Sequence, residues 1–524
     1  MSTTEINVVE TRHPRRWWIL AVLCLSLFMV VVDNTIVNVA LPTLSTDLGA
    51  SITSLQWIVD SYTLVFSALL LAFGYFGDRY GRALALRLGL IIFGITSVLA
   101  AVSTSTAGLI GARALMGIGA ALVFPATLAI IINVFTDTRE RAAAIGIWSG
   151  ITGLAVAAGP VTGGFLLEHF WWGSLFLVNV PIVIVALVLG RILIPDSRDP
   201  QSGRFDRLGV LLSVAAVGMV IWSIIEGPHR GWSSPEVALT GTLGAIGIAV
   251  FVLYEARLAH PLLDVRLFRN ARFSAASVAI AAAFFGLFGF IFLITQYMQL
   301  VLGYSPLEAG LRTVPFAVVT GVLSPAAIAL MHRFGTKLVV ASGLALMSTG
   351  FVMASGLQAD SAYFGPVLAA MVVMAAGLGL TTSPATEAIM GALPPAKAGV
   401  GSAVNDTTRE LGGTLGVALV GSVFASLYAP AVRETVVGLP ADLLDLVSES
   451  VGAAVVIAPQ VPGGEAMLTA AREAFMVGFS AGSWVAAAAT ALGALAALIW
   501  LPSRATTGSA TERPTEPVVE SVVR

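Results

Sequence analysis

A few charged residues stand inside long apolar stretches: Asp33, Asp60 and Arg113 early in the chain, and Asp406 and Glu410 late in it, with Arg409 between them. An ion in hydrocarbon is costly and persists only with a partner or a role, so each is a functional candidate. A carboxylate so placed can bind a proton or an organic cation, but not both at full strength. That competition is the simplest chemistry of antiport. A proton entering from one side displaces a cation, and deprotonation on the other side readmits one; Asp33 is the first candidate for this role, with Asp60 close behind. No metal, nucleotide or covalent chemistry is legible beside it, and no cofactor is expected. The five histidines are scattered without ligand spacing, and the one cysteine, Cys24, excludes a disulfide within the chain and a cysteine-based metal cluster. No P-loop lysine motif points to ATP.

The elements that hold these residues follow from composition. The 524 residues are 57% hydrophobic and 11% charged, with a mean hydropathy of +0.90, whereas a soluble globular chain carries about 25% charged residues. Lipid must be the solvent for most of the chain. The net charge of −2 and the lack of a basic tract give no reason to expect nucleic acid as a partner. Fourteen apolar spans are expected, at 17–41, 52–75, 84–104, 107–134, 140–166, 174–195, 207–226, 236–257, 273–298, 309–331, 337–357, 363–389, 399–428 and 474–501. Nearly all reach the roughly 20 helical residues that a bilayer core requires. Arg12, Arg15 and Arg16 precede the first span, which holds Asp33 and runs to Leu41 without a small-residue cleavage site. It reads as a retained helix and not as a signal peptide.

Charge placement orients the spans. With the N-terminus in the cytoplasm, four of the 28 basic residues (Arg230, Arg312, Arg433, Arg472) fall outside and two (Arg113, Arg409) within helices. The remaining 22 lie on the inner side, as the positive-inside rule requires. Both termini are therefore expected in the cytoplasm, residues 1–16 as a short segment and 502–524, rich in Thr, Glu and Pro, as a disordered tail. The stretch 429–473 becomes a long outer loop, either a short surface helix or hairpin or a lid over an outer vestibule.

Depth brings the charges together. Asp33 lies 8 residues before Leu41 and Asp60 lies 8 after Ile52, so both sit about 12 Å below the outer boundary at 1.5 Å per residue. Arg113 comes out about 9 Å deep. Two acids and one arginine in one layer form a candidate charge cluster. Burial favours the neutral acid and the guanidinium favours the carboxylate, and the balance brings proton exchange within reach. On helix 13, Asp406 and Glu410 are four apart and share a face, with Arg409 three after Asp406. Either a coupling group or a static ion-pair network fits them. Helix-end hydrogen bonding for Asp33 and a purely structural ion pair for Arg113 stay open as alternatives. Glu226 and Glu387 fall near helix ends and read as interfacial.

The chain also repeats itself. The link after helix 2, Gly77-Asp78-Arg79-Tyr80-Gly81-Arg82, and the link after helix 10, Met331-His332-Arg333-Phe334-Gly335-Thr336-Lys337, share the pattern x-Arg-aromatic-Gly. This suggests two six-helix halves, 17–195 and 273–501, with two helices inserted between them over 207–257, and rocking of the halves about a central cavity.

These residues carry a family resemblance. Gly74-Tyr75-Phe76-Gly77-Asp78-Arg79-Tyr80-Gly81-Arg82 resembles the loop signature of the major facilitator superfamily. Three further signatures follow in order: Asp33 to Pro42 closing helix 1, Arg113 to Ala120 in helix 4, and Gly153 with Gly159-Pro160-Val161-Thr162-Gly163-Gly164 in helix 5. With fourteen spans, the chain resembles the fourteen-helix drug:proton antiporters, in particular the quaternary-ammonium and multidrug exporters. The resemblance implies the major facilitator fold in an all-α membrane protein and a proton gradient as energy source. It implies lipophilic, mostly cationic drugs as substrates, and a monomer in the cytoplasmic membrane. It makes Gly153, Gly159, Pro160, Gly163 and Gly164 the antiporter motif, and Gly74, Asp78, Arg79, Gly81 and Arg82 a latch between the halves. A dedicated exporter of one natural product or lipid-like molecule would fit the same scaffold.

Two physical readings accompany these motifs. Proline removes a helix hydrogen bond and glycines admit a neighbouring helix, so the helix-5 motif reads as a kinked, close contact that can slide. Helix 9 offers Phe284, Phe285, Phe288, Phe290 and Phe292, whose faces could hold a cation at about 2 kcal/mol each when desolvated. Ordinary packing is the alternative for both.

Overall fold

The computed structural model describes residues 14–198, 206–258, 261–393, 398–436 and 439–503. The expected disordered tail beyond 503 and Arg12 lie outside them. Among the described residues there is no strand, and fourteen helices are long and apolar enough to cross a membrane. In chain order they are α1 Arg16–Asp47, α2 Ile52–Tyr80, α3 Arg82–Ala101, α4 Thr106–Val134 and α5 Thr138–His169. Then follow α6 Ser174–Leu193, α7 Arg207–Arg230, α8 Pro235–Glu255 and α9 Ala271–Val301. The last five are α10 Pro306–Phe334, α11 Thr336–Ser355, α12 Tyr363–Gly391, α13 Ala398–Thr435 and α14 Gly464–Trp500. An even number of crossings puts Arg16 and Trp500 on one face, called here the terminal face; the opposite is the far face.

Local chemistry starts these helices where they start. Ser51, Ser105 and Ser234 accept the backbone N–H of Ser54, Gly108 and Val237, and Ser305 with Glu308 forms a complete capping box at α10. Each takes up an N–H that has no partner within its helix. The apolar character continues around most helices. Side chains such as Ile95, Leu154, Val322 and Leu492 are exposed, as expected of faces turned to lipid.

The packing obeys a pseudo-two-fold that exchanges α1–α6 with α9–α14. In the first half α2 packs on α4, α3 on α4, α1 on α5 and α6, and α3 on α6. In the second half α10 packs on α12, α11 on α12, α9 on α13 and α14, and α11 on α14. The two most extensive contacts that cross between halves, α5 on α10 and α13 on α2, are each other's counterparts. The symmetry extends to single hydrogen bonds. Gly81 and Gly335 have φ of 127° and 87°, a region open to glycine, and each turns the chain into its next helix. The following N–H, of Arg82 and of Thr336, then donates at 3.0 Å to the carbonyl of Ser197 and of Ser503, just past the last helix of each half. The weak x-Arg-aromatic-Gly repeat is thus the visible part of a repeated structure.

Several helices outrun the spans read from hydropathy. α1 continues past Leu41 to Asp47 with Pro42 inside it. α13 runs to Thr435 and α14 starts at Gly464. Hydropathy marks the bilayer core, whereas a helix continues into water as long as its hydrogen bonds do. The expected loop 429–473 therefore shrinks to two short helices, Ala441–Glu449 and Val451–Ile457. They sit on the far ends of the bundle, with the Tyr428 hydroxyl donating to the Val447 carbonyl at 2.9 Å and Ser450 bonded to Ser45 of α1.

Candidate functional site

Asp33 stands well inside the extended α1. It lies 14 residues before Asp47, about 21 Å along the helix axis from its far end. There it meets Arg113 of α4: Nη1 contacts Asp33 Oδ2 at 2.5 Å, with both side chains 0% exposed. The other carboxylate oxygen accepts from Asn179 Nδ2 of α6 at 2.8 Å. Arg113 Nε donates to the Ile58 carbonyl at 3.2 Å, and the guanidinium lies 4.2 Å from the centroid of the Tyr62 ring. The Tyr62 hydroxyl donates back to the Val30 carbonyl of α1 at 3.2 Å. Four helices of one half thus converge on one ion pair.

Asp60 does not join this cluster. It is fully buried, yet neither carboxylate oxygen has a hydrogen-bond partner among the described residues. Its surroundings follow from helical spacing, since positions 56, 60, 63 and 67 share one face of α2. Gln56 Nε2 donates to the Ala418 carbonyl of α13 at 2.9 Å, and Thr414 of α13 donates to Thr63 at 3.1 Å. Asp60 lies on this face between two hydrogen bonds that tie the halves together. A buried group of this kind requires an explanation.

On α13, Asp406 and Arg409 make only a long contact of 3.8 Å. The Arg409 guanidinium instead lies 4.5 Å from the ring centroid of Phe284 on α9. Glu410 faces the other half, accepting from Asn34 Nδ2 of α1 at 3.5 Å. Of the helix-9 aromatics, Phe284 therefore borders the charged group. Phe290 packs on Phe351 and Phe479, and Phe292 is fully buried. Glu387 is exposed. Glu226 is 13% exposed and binds Trp57 and Arg230.

The helix-5 motif divides between two neighbours. A side chain at Gly159 would collide with Thr35 of α1, and one at Gly163 would press on Ile36. One at Gly164 would meet Leu307 of α10 at 2.6 Å, and Gly310 of α10 closes on the Pro160 carbonyl. The motif thus clamps the α1 segment just after Asp33 while bearing on the opposite half. Positions 146, 153 and 160 form one stripe of α5, spaced by seven. At Pro160 this stripe touches α10, but a Cβ at Gly153 or Gly146 would find no atom within 4 Å, nor would one at Gly321 of α10. The seam between the halves is closed toward the far face and open toward the terminal face.

The loop motif lies at that open end. Arg82 pairs with Asp78 at 2.7 Å and donates to the Ala129 carbonyl of α4 at 3.3 Å. Gly74 faces Pro125 of α4, and the Arg79 guanidinium lies 5.8 Å from the Tyr80 ring. All these partners belong to the same half.

Sequence reasoning missed Asn179, Tyr62, Gln56 and Asn34. Asn179 carries a detectable signal, a lone amide in an apolar run. The others leave none, because their roles depend on which helices meet.

Comparison with known proteins bears on the family and the fold. The family model described as Major Facilitator Superfamily matches residues 23–417. The chain is 39% identical over 480 residues, 91% of its length and 95% of the relative's, to the multidrug efflux pump LfrA of Mycolicibacterium smegmatis. It is 36% identical over 469 residues to the methyl viologen resistance protein SmvA of Salmonella typhimurium, covering 88% of this chain and 93% of that one. In fold it is similar to a bacterial homologue of the human lysosomal transporter Spinster, with a TM-score of 0.66 at 19% identity, covering 94% of this chain and 98% of that one.

Proposed function

The chain belongs to the major facilitator superfamily, and we propose that it exports amphipathic, mostly cationic drugs from the cytoplasm in exchange for protons. The observation that carries this reading is Asp60, a fully buried carboxylate without a hydrogen-bond partner among the described residues on the α2 face that bonds to the other half. Burying an unpaired charge costs more than the fold can recover, so the group is carried as its neutral acid until a cation or an opening changes its surroundings. The similarity to a multidrug efflux pump and to a methyl viologen resistance protein supports drugs as cargo, since methyl viologen is a dication.

In this reading the terminal face is cytoplasmic, and the seam open toward it admits the drug. Glu410 and Asp406 receive the cationic end of the cargo, with Phe284 beside them. The Asp33–Arg113 pair couples that site to the helix-5 motif through Thr35 and Ile36. Helices α1–α6 and α9–α14 rock as two bodies, and the protein acts as a monomer in the cytoplasmic membrane. When the cytoplasmic side closes, Asp78 leaves Arg82 for a helix N-terminus of the other half, which attracts a carboxylate. The loop motif then acts as a latch. Purified protein in proteoliposomes tests the reading. An inward proton gradient should drive ethidium or a quaternary ammonium compound uphill, and no movement of either compound would defeat it.

A further inference from the structure

We propose that the inserted helix α7 is the outer gate over Asp60, bonded to both halves at once and obliged to release one of them when the far side opens. The inference rests on the reading that Asp60 exchanges protons with the outside.

The far-face portion of α7 lies on the seam between α2 and α13. Toward the first half, the Trp57 indole N–H donates to Glu226 Oε1 at 3.1 Å. Toward the second half, the Ser422 hydroxyl donates to the Ile224 carbonyl at 2.6 Å. That carbonyl is available for a specific reason. Its helical donor would be the N–H of residue 228, which is Pro228 and has none. The proline thus frees an acceptor on α7 that a side chain from the other half takes up. Around these bonds, Leu64 of α2, Ala418 of α13 and Ile221 and Ile225 of α7 form one buried apolar cluster.

The joint sits on the far-face side of Asp60. Gln56 and Trp57 lie one turn before it on the far side of α2, and Gln56 Nε2 reaches the Ala418 carbonyl at 2.9 Å and Ser422 at 3.4 Å. A proton from the far side must pass the place where α2, α7 and α13 are joined. Opening separates α2 from α13, and α7 cannot follow both. The two inserted helices thereby set how readily the protein turns outward.

Reporter labelling and crosslinking test this, both in a Cys24→Ala background. Thr63→Cys, beside Asp60 on the seam and 1% exposed in the parent, reports access to a membrane-impermeant thiol reagent in right-side-out vesicles. Trp57→Phe with Ser422→Ala removes the bond of α7 to each half, together with the longer Gln56–Ser422 bond, and should raise outside labelling about tenfold. Unchanged labelling would overturn the proposal. In the opposite direction, Leu64→Cys with Ile225→Cys ties α7 to the first half, and Ile224→Cys with Ser422→Cys ties it to the second. A short cleavable crosslink across at least one pair should stop export until cleaved; export surviving both crosslinks would overturn the gate. The labelling assay does not depend on protons. Uphill export by Asp60→Asn would sink the underlying reading by itself, whatever the gate measurements give.

Discussion

Asp33 and Asp60 look alike in the sequence, two acids set at matching depth in the first two helices, and both are fully buried. Their surroundings could hardly differ more. Asp33 holds an arginine with one oxygen and an amide with the other, inside one half of the molecule. Asp60 holds no hydrogen bond among the described residues, and lies where the two halves touch. The contrast separates two tasks that a transporter needs. In the proposed mechanism the carboxylate held at both oxygens keeps helices in register, whereas the acid without a bond at the seam changes its proton when the seam opens.

The contrast can be broken in several ways. Arg113→Ala should have the largest effect, because it strands Asp33 as an unpaired buried charge at a cost of roughly 3–5 kcal/mol. Loss of folded protein in size-exclusion and thermal-melting measurements is expected, and a variant with unchanged Tm would show that the pair is not structural. Asp60→Asn should abolish uphill export while leaving stability the same or up to about 1 kcal/mol better, read as an unchanged or raised Tm, since no bond is lost. A strongly destabilised Asp60→Asn would mean that the carboxylate has a partner after all. Glu410→Gln should weaken binding of a cationic drug about tenfold, some 1.4 kcal/mol, with little change for an uncharged one, as read by fluorescence titration. Equal affinity for both would remove Glu410 from the site. Asn179→Ala should have the smallest effect on transport, costing about 1.5–3 kcal/mol of stability for one hydrogen bond to a charged group. Its proton coupling should survive, checked by transport at matched protein levels.

Much of this was legible before any coordinates. Periodic apolar runs and charge placement give fourteen helices and their order, since lipid allows few alternatives. Equal depth puts Asp33 and Arg113 in one layer, and the glycine spacing of α5 announces close packing. The partners were not legible. Depth treats the membrane as a stack of layers, and Asp60 shares a layer with Arg113 while facing α13. Gly159 and Gly163 seat α1, but Gly164 seats α10, a division set by the angle of each residue about the helix axis and by the arrangement of helices around it. Helix ends were misjudged for a similar reason, as α1 and α14 continue into the polar layer where hydropathy falls.

The measurement closest to the central claim is proton release on drug binding, made with purified protein in weak buffer. Adding a cationic drug to the parent protein should release protons in proportion to the drug bound. Asp60→Asn should bind the drug and release far fewer, while Asn179→Ala should release as many as the parent. Undiminished release from Asp60→Asn would contradict the account, because the exchanged proton would then reside elsewhere.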